Sequence, residues 1–184
     1  MSQELLFVLW FFLPAGLANA APILAARMPW LNTCFFPLDC YMTFRHKRIL
    51  GSHKTVRGLL SGIVVGILVT WLQVLCYEQL SLVRTFIPLN YSAINPILFG
   101  FLAACGALVG DAIKSFFKRQ LGITPGKSWF PFDQLDYILG GIAFTSLYVQ
   151  LTLTQYLLLC LVWFLMHPLA TMIGYELKLK ESPI

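Results

Sequence analysis

Four long stretches without a charged residue constrain this chain more than any other feature of its sequence. They run from Leu5 to Ala26, from Gly58 to Tyr77, from Thr85 to Gly110 and from Tyr137 to Tyr175. A helix needs about 20 mainly apolar residues to cross a bilayer. Each of the first three stretches therefore predicts one membrane span, and the fourth predicts two, with a break near residues 152–154. We expect an all-α integral membrane protein with about five transmembrane helices.

The composition excludes the other common classes of protein. Of the 184 residues, 58% are apolar and only 11% are charged, and the mean hydropathy is +0.75. Soluble domains carry about 25% charged residues, and disordered chains carry few apolar ones. The length corresponds to one compact unit. We therefore expect a single membrane-embedded domain over residues 1–184.

Lysine and arginine are concentrated in segments that the five spans would place on one side of the membrane. Segments 27–57 and 111–136, with Lys178 and Lys180 in the tail, hold twelve of the 13 basic residues, and the opposite side holds Arg84. Cytoplasmic loops carry such an excess. This predicts a multi-pass protein of the cell membrane, with the N-terminus outside, the C-terminus in the cytoplasm and any polar site facing the cytoplasm. The net charge of +5 suits anionic lipid or nucleotide phosphate. No nucleic-acid-binding module is visible, so we expect no nucleic-acid partner.

Three polar residues follow the third apolar stretch at helical spacing. Asp111, Ser115 and Lys118 stand at positions i, i+4 and i+7, so a helix would place them on one face. A carboxylate is a hard oxygen ligand for Mg²⁺, and a lysine ammonium neutralises phosphate. The group therefore predicts a metal–phosphate site, and an ordinary interfacial helix end stays open as the alternative.

A second acidic group precedes the fourth apolar stretch. Asp133 and Asp136 stand at i and i+3, which makes them neighbours on a helix face. Two adjacent carboxylates repel unless a cation lies between them. Together with Asp111 they would surround one cytoplasmic mouth, which favours bound metal and polyphosphate over the alternative of a salt-bridged loop.

The loop before the second span carries further candidates. Lys54, Thr55 and Arg57 gather two cations and a hydroxyl there, and the nucleotide-binding pattern GxxxxGK[ST] is absent. On composition alone, a polybasic patch for lipid headgroups is the favoured alternative. The three histidines lack metal-ligand spacing, and we interpret them as non-catalytic.

Glycines recur at every fourth position in two of the predicted spans. Gly58, Gly62 and Gly66 lie in the second span, and Gly106 and Gly110 lie in the third. Small residues at this spacing let membrane helices approach closely. They predict packing faces between helices.

Several of these segments are also similar to one known family. The matching segments are 18–22, 37–39, 48–58, 106–111, 115–119 and 133–136. The combination of Ser115-Phe-Phe-Lys118-Arg119 with Asp133-Gln-Leu-Asp136 is specific. With these motifs, in this order, the chain resembles the CDP-archaeol synthase family, which is related to the CDP-diacylglycerol synthases.

The resemblance implies an Mg²⁺-dependent cytidylyltransferase for lipid phosphates. It would transfer CMP from CTP to 2,3-bis-O-geranylgeranylglycerol 1-phosphate and release pyrophosphate. Asp111, Asp133 and Asp136 would hold the metal and, with Lys118, form the catalytic set. The substrate-binding residues would be Asn19, Asp39, Lys54, Thr55, Arg57, Ser115 and Arg119. A CDP-diacylglycerol-type synthase that uses phosphatidic acid, or a non-enzymatic lipid-binding membrane protein, is the alternative.

Overall fold

The computed structural model describes residues 2–28, 35–124 and 127–176, so Lys178 and Lys180 lie outside the described residues. Within these ranges the chain is a bundle of helices with one small hairpin. The helices are α1 (Ser2–Ala25), α2 (Val56–Gln79), α3 (Ser81–Phe86), α4 (Pro96–Gln120), α5 (Phe132–Thr145) and α6 (Leu153–Glu176). A hairpin of β1 (Thr43–Phe44) and β2 (Lys47–Arg48) precedes α2, and a 3₁₀ turn (Tyr91–Ala93) precedes α4.

Four helices in the described ranges, α1, α2, α4 and α6, are long and apolar enough to cross a membrane. This confirms the predicted class of helical membrane protein, to which the structure adds the hairpin. Helix α5 has 14 residues, a length of about 21 Å against a hydrocarbon core of about 30 Å. The number of spans and their orientation therefore stay predictions. The expected break in the last apolar stretch is confirmed, because α6 begins at Leu153.

The third span is shorter at its start than the uncharged stretch from Thr85 to Gly110, and its predicted continuation through Asp111, Ser115 and Lys118 is confirmed. The helix begins at Pro96 and continues to Gln120. The Asn95 side chain accepts hydrogen bonds from the backbone N–H groups of Ile97 and Leu98, which caps the helix at this point. Apolar composition alone does not reveal this cap. Asp111 consequently lies well inside α4.

Helix α2 turns small and polar residues to the bundle and large apolar ones outwards, as expected when lipid is the solvent. On α2, Gly66, Thr70 and Gln73 are buried, whereas Leu68 and Trp71 are exposed. The Gln73 side-chain amide donates to the Trp10 carbonyl at 2.6 Å, which ties α2 to α1. In lipid such helix-to-helix hydrogen bonds and close packing replace the hydrophobic effect.

The predicted glycine packing faces are confirmed. A Cβ atom added to Gly110 would lie 2.1 Å from the Asp136 carbonyl oxygen, and one added to Gly106 would lie 2.4 Å from that of Gly140. On α2, a Cβ at Gly62 would lie 2.9 Å from the Ala18 carbonyl oxygen. Helix α4 therefore touches α5 backbone to backbone, and this contact brings the acidic N-terminal turns of α5 against the middle of α4.

The helix ends fall into two groups. Gln3 donates to the Thr85 carbonyl at 3.0 Å, and Gln155 donates to Glu4 at 3.1 Å, so the starts of α1 and α6 lie together with α3. At the other end, an ion pair joins Lys54, just before α2, to Asp111. We call this second end the basic end, because the loop before α2 and the loop after α4 both lie there.

Candidate active site

A polar cleft of about 170 Å³ opens at the basic end, between the loop before α2 and the C-terminal half of α4. It is lined by Leu50, Gly51, His53, Lys54, Asp111, Lys114, Ser115, Lys118 and Arg119. Four of these side chains are cations and one is a carboxylate, so the lining carries a net positive charge. Such a lining suits a polyphosphate. The structure therefore brings together five residues predicted from the sequence, namely Lys54, Asp111, Ser115, Lys118 and Arg119.

Lys114 lies at the centre of the acidic group. Its Nζ is 3.0 Å from Asp111 Oδ1, 2.9 Å from Asp133 Oδ1 and 2.7 Å from Asp136 Oδ2. The Asp136 side chain is 5% exposed and that of Lys114 is 14% exposed. Three carboxylates from α4 and α5 thus converge on one ammonium group, which supplies the cation that adjacent carboxylates require.

Two more lysines complete the network. Lys54 forms an ion pair with the second oxygen of Asp111. Lys118 Nζ lies 3.1 and 3.2 Å from the two oxygens of Asp133 and donates to the Lys127 carbonyl at 2.5 Å. The backbone N–H of Trp129 also donates to Asp133 at 2.5 Å. The loop after α4 is therefore fastened to the acidic group from both sides.

The end of α4 explains how this loop returns to the site. Gly122 has φ +77°, and its N–H donates to the Arg119 carbonyl while the Ile123 N–H donates to the Lys118 carbonyl. These two bonds form the Schellman motif, in which a glycine adopts the left-handed conformation that other residues avoid. The motif ends the helix and turns the chain towards α5.

Asp39 is not part of the cleft lining. Its buried carboxylate accepts hydrogen bonds from the backbone N–H groups of Leu50 at 3.1 Å and Gly51 at 3.0 Å, and from the guanidinium of Arg48. Burial by itself would raise the pKa of Asp39, but these donors outweigh it and lower the pKa below its usual value. Asp39 therefore holds the loop that leads to Lys54, and its predicted substrate-binding role stays a prediction.

A further predicted substrate-binding residue, Thr55, lies at a second, more apolar cleft. This cleft also measures about 170 Å³ and is lined by Pro22, Leu38, His53, Lys54, Thr55, Gly58, Leu59, Leu108, Val109, Asp111 and Ala112. Thr55 lines this cleft, and its hydroxyl oxygen accepts the Gly58 N–H at 3.1 Å as the N-cap of α2. The two clefts share His53 and the Lys54–Asp111 ion pair.

Arg57 and Asn19 do not line either cleft within the described part of the chain. The Arg57 side chain is buried, and its guanidinium lies over the Phe35 ring, 5.6 Å from the centroid. Asn19 is half-buried on α1, one turn before Pro22. Their predicted contacts with the substrate stay a prediction.

Two residues line the site without being among its predicted members. Lys114 lies at i+3 from Asp111 and i−4 from Lys118, a spacing that places it on the same helix face. His53, interpreted from the sequence as non-catalytic, lines both clefts. Only the contact between α4 and α5 reveals that Lys114 also reaches the second acidic pair.

The acidic group fits a divalent cation in the chemistry of its donors. Asp111, Asp133 and Asp136 provide carboxylate oxygens, which Mg²⁺ prefers, on two helices that are fixed against each other. In the described part of the chain, no three His, Cys, Asp or Glu side chains are arranged as a ready metal cage. The Lys114 ammonium already occupies the point where the three carboxylates converge.

Comparison with known proteins identifies the family. The family model described as "CarS-like: CDP-archaeol synthase" matches residues 1–184. A CDP-archaeol synthase of Methanospirillum hungatei is 40% identical over 144 residues, which are 74% of this chain and 82% of that protein. The corresponding enzyme of Methanocaldococcus jannaschii is 32% identical over 98% of both chains.

A solved structure agrees with this assignment. It is described as "Structural insight into an intramembrane enzyme for archaeal membrane lipids biosynthesis", and it superposes with a TM-score of 0.67. Its sequence is 30% identical, and the match covers 88% of this chain and 90% of that one. The chain therefore belongs to the CDP-archaeol synthase family, whose members are CTP-dependent cytidylyltransferases.

Proposed function

We propose that this protein, as a single membrane-embedded domain over residues 1–184, transfers CMP from CTP to an archaeal ether-lipid phosphate of the 2,3-bis-O-geranylgeranylglycerol 1-phosphate type. The products are a CDP-activated lipid and pyrophosphate. The observation that carries the proposal is the pair of adjoining clefts, one cationic and one apolar, that share the Lys54–Asp111 ion pair. A reaction between a nucleoside triphosphate and a lipid needs these two environments side by side.

The reaction requires charge neutralisation more than acid–base chemistry. An oxygen of the lipid phosphate attacks the α-phosphorus of CTP, a new P–O bond forms, and the bond to pyrophosphate breaks. The nucleophile is already an anion, so no proton has to be removed from it. Lys54, Lys118 and Arg119 neutralise the phosphates, and the rigid loop and helix end hold these charges in position.

Mg²⁺ belongs to the proposal as the cofactor. Asp111, Asp133 and Asp136 would hold it, and when bound it supplies the positive charge that stabilises phosphate oxygens in the transition state. The convergence of their carboxylates supports this assignment.

The proposal includes a five-span topology with the site facing the cytoplasm. Helix α5 and the turn that follows it would form the short fourth span. Support comes from the basic end, which collects the lysines and arginines of the loop before α2 and of α4, as the positive-inside rule requires of a cytoplasmic face. CTP is then available to the site from the cytoplasm.

Turnover of radiolabelled CTP by the purified protein in detergent tests the proposal. Mg²⁺ is supplied, and the ether-lipid phosphate and phosphatidic acid are offered in parallel. We expect labelled lipid and released pyrophosphate with the ether-lipid phosphate. Preference for phosphatidic acid would assign a CDP-diacylglycerol-type synthase instead. Absence of labelled lipid with both acceptors, and of CTP binding, would contradict an enzymatic function and favour a lipid-binding protein.

Lys118→Met tests whether the polar cleft is the site of turnover, and Lys47→Met is its control. Lys118 contacts Asp133, whereas Lys47 donates to the Gln120 carbonyl and does not line the cleft. Both changes remove one positive charge at the basic end. If the cleft is the site, Lys118→Met loses turnover and Lys47→Met keeps it, and equal losses would show that only the general charge of this end matters.

A further inference from the structure

We propose that Lys114 is an internal counter-cation that holds the three carboxylates of the site together and gives up this position when a divalent metal enters. The inference rests on the proposed function, since it concerns the metal of that reaction. Lys114 would be a positioning residue for the metal site, and it would carry its charge from the carboxylates to the substrate phosphates.

The first step of the argument is the position of the ammonium group. Lys114 Nζ lies within 3.0 Å of one oxygen each of Asp111, Asp133 and Asp136. These are the same three side chains that would hold the metal. Two cations cannot occupy one point, so the metal and the ammonium group compete for these oxygens.

The second step is the spacing of the oxygens. Mg²⁺ requires oxygen ligands at about 2.0–2.1 Å, whereas the ammonium group holds them at 2.7–3.0 Å. The absence of a ready cage among the described residues follows from this expanded arrangement. Metal binding therefore requires the ammonium group to leave and the carboxylates to close in.

The third step is the place to which Lys114 can move. Its side chain lines the polar cleft, and four methylene groups connect the ammonium to the backbone. A change of rotamer lets it leave the carboxylates without any movement of α4. In the cleft it would meet the phosphates of the nucleotide, so the positive charge stays in the site.

The other lysines of the network do not have this position. Lys54 contacts only Asp111 among the three carboxylates, and Lys118 contacts only Asp133. Removal of Lys114 is therefore the change that leaves three carboxylates facing each other without their shared cation. The Lys54–Asp111 and Lys118–Asp133 pairs remain, so the change removes the shared cation alone.

The test measures metal binding and stability separately from turnover. Mn²⁺ binding to the detergent-solubilised protein is followed by electron paramagnetic resonance, and thermal unfolding is recorded with and without Mn²⁺, for wild type, Lys114→Met, Lys114→Arg and Lys47→Met. Without metal, Lys114→Met should unfold at a lower temperature than wild type. It should bind Mn²⁺ on the order of tenfold more tightly, because a competing charge is gone.

Mn²⁺ should consequently raise the unfolding temperature of Lys114→Met more than that of wild type. Lys114→Arg, which keeps a cation, and Lys47→Met, which removes a cation that does not contact the three carboxylates, should both lie closer to wild type than Lys114→Met in stability without metal. Unchanged or weaker Mn²⁺ binding by Lys114→Met would overturn the exchange. Absence of Mn²⁺ binding from all four proteins would also overturn the exchange. In that case, CTP turnover by the same wild-type preparation shows whether the proposed transfer fails as well.

A folding defect in Lys114→Met does not remove the test. The variant is then purified in the presence of excess Mg²⁺ or of K⁺ at equal ionic strength. Folded protein in Mg²⁺ alone supports the exchange, because the metal replaces the missing cation. Equal loss of folded protein in Mg²⁺ and in K⁺ overturns the exchange.

Discussion

At the scale of single residues, charges that look equivalent in the sequence have different roles. Asp39 and Asp133 are both aspartates of the basic end. Asp39 is closed off by hydrogen bonds from its own loop, whereas Asp133 connects Lys114 and Lys118 across two helices. The first therefore fixes the position of its own loop, and the second joins the two lysines that line the polar cleft.

We expect Asp133→Asn to lower CTP turnover on the order of 10²–10³-fold, the effect of removing one group that stabilises transition-state charge. The amide keeps an oxygen for the Trp129 N–H but loses the negative charge. Steady-state turnover with labelled CTP measures the effect, and elution as a folded monodisperse peak on size exclusion is the control. Near-normal turnover would show that Asp133 is not part of the site.

Asp39→Asn should destabilise the protein by about 1–3 kcal/mol, because a charged acceptor of several hydrogen bonds becomes neutral. The pKa of Asp39 is lowered in the folded protein, so its contribution is complete above the unfolded pKa of about 3.9 and is lost as the pH falls below it. Unfolding midpoints measured by tryptophan fluorescence from neutral to acidic pH should therefore differ between wild type and Asp39→Asn at neutral pH and converge in acid. A constant difference down to the most acidic pH would contradict this role.

At the scale of elements, the contact between α4 and α5 builds the acidic group. The glycines of this interface let the two backbones touch, and this contact places Asp133 and Asp136 beside Lys114. The loop between the helices contributes through the Schellman motif at Gly122. Small residues at the helix interface thus determine the geometry of the charged ones.

Gly110→Ala should separate α4 from α5, because the new Cβ would lie 2.1 Å from the Asp136 carbonyl oxygen, which is backbone and cannot rotate away. We expect a loss of about 1–3 kcal/mol or more of stability, and lower turnover from the displaced Asp136. Thermal unfolding and CTP turnover are the measurements. Ile113→Ala, one turn away on the exposed face of α4, is the matched control and should change both quantities little. Equal effects of the two variants would show that the close contact is not required.

At the scale of the whole molecule, the bundle separates charge between its two ends. The cationic cleft and the basic hairpin lie at one end, whereas Gln3, Thr85 and Gln155 meet at the other. A membrane that carries anionic lipid on its cytoplasmic face favours the orientation with the basic end inside.

Labelling of single cysteines with a membrane-impermeant maleimide tests this orientation. The five native cysteines are replaced, and His46→Cys in the hairpin turn is compared with Ser92→Cys near the start of α4. Both positions are exposed. Intact cells should label Ser92→Cys alone, and inverted vesicles should label His46→Cys alone. The opposite labelling pattern would place the basic end and its cleft on the outer side of the membrane.

The sequence by itself determined the class of protein, most of the span positions and the family. Uncharged runs, basic loops and contiguous motifs are local features, and the preference of apolar residues for lipid does not depend on the packing partner. For the same reason the break before α6 and the glycine packing faces could be predicted. The start of α4 was not predicted, because the Asn95 cap lies within a run that has no charged residue to mark a boundary.

Only the tertiary structure decided which charges meet. The spacing of Lys114 in the sequence does not predict its three ion pairs, because two of its carboxylate partners lie on another helix. Asp39, Arg57 and Asn19 belong to matching motifs but are not among the residues that line the two clefts. Electrostatic interactions depend on the distance between atoms in space, and this distance is fixed by how α4 packs against α5 and how the loop before α2 closes over them.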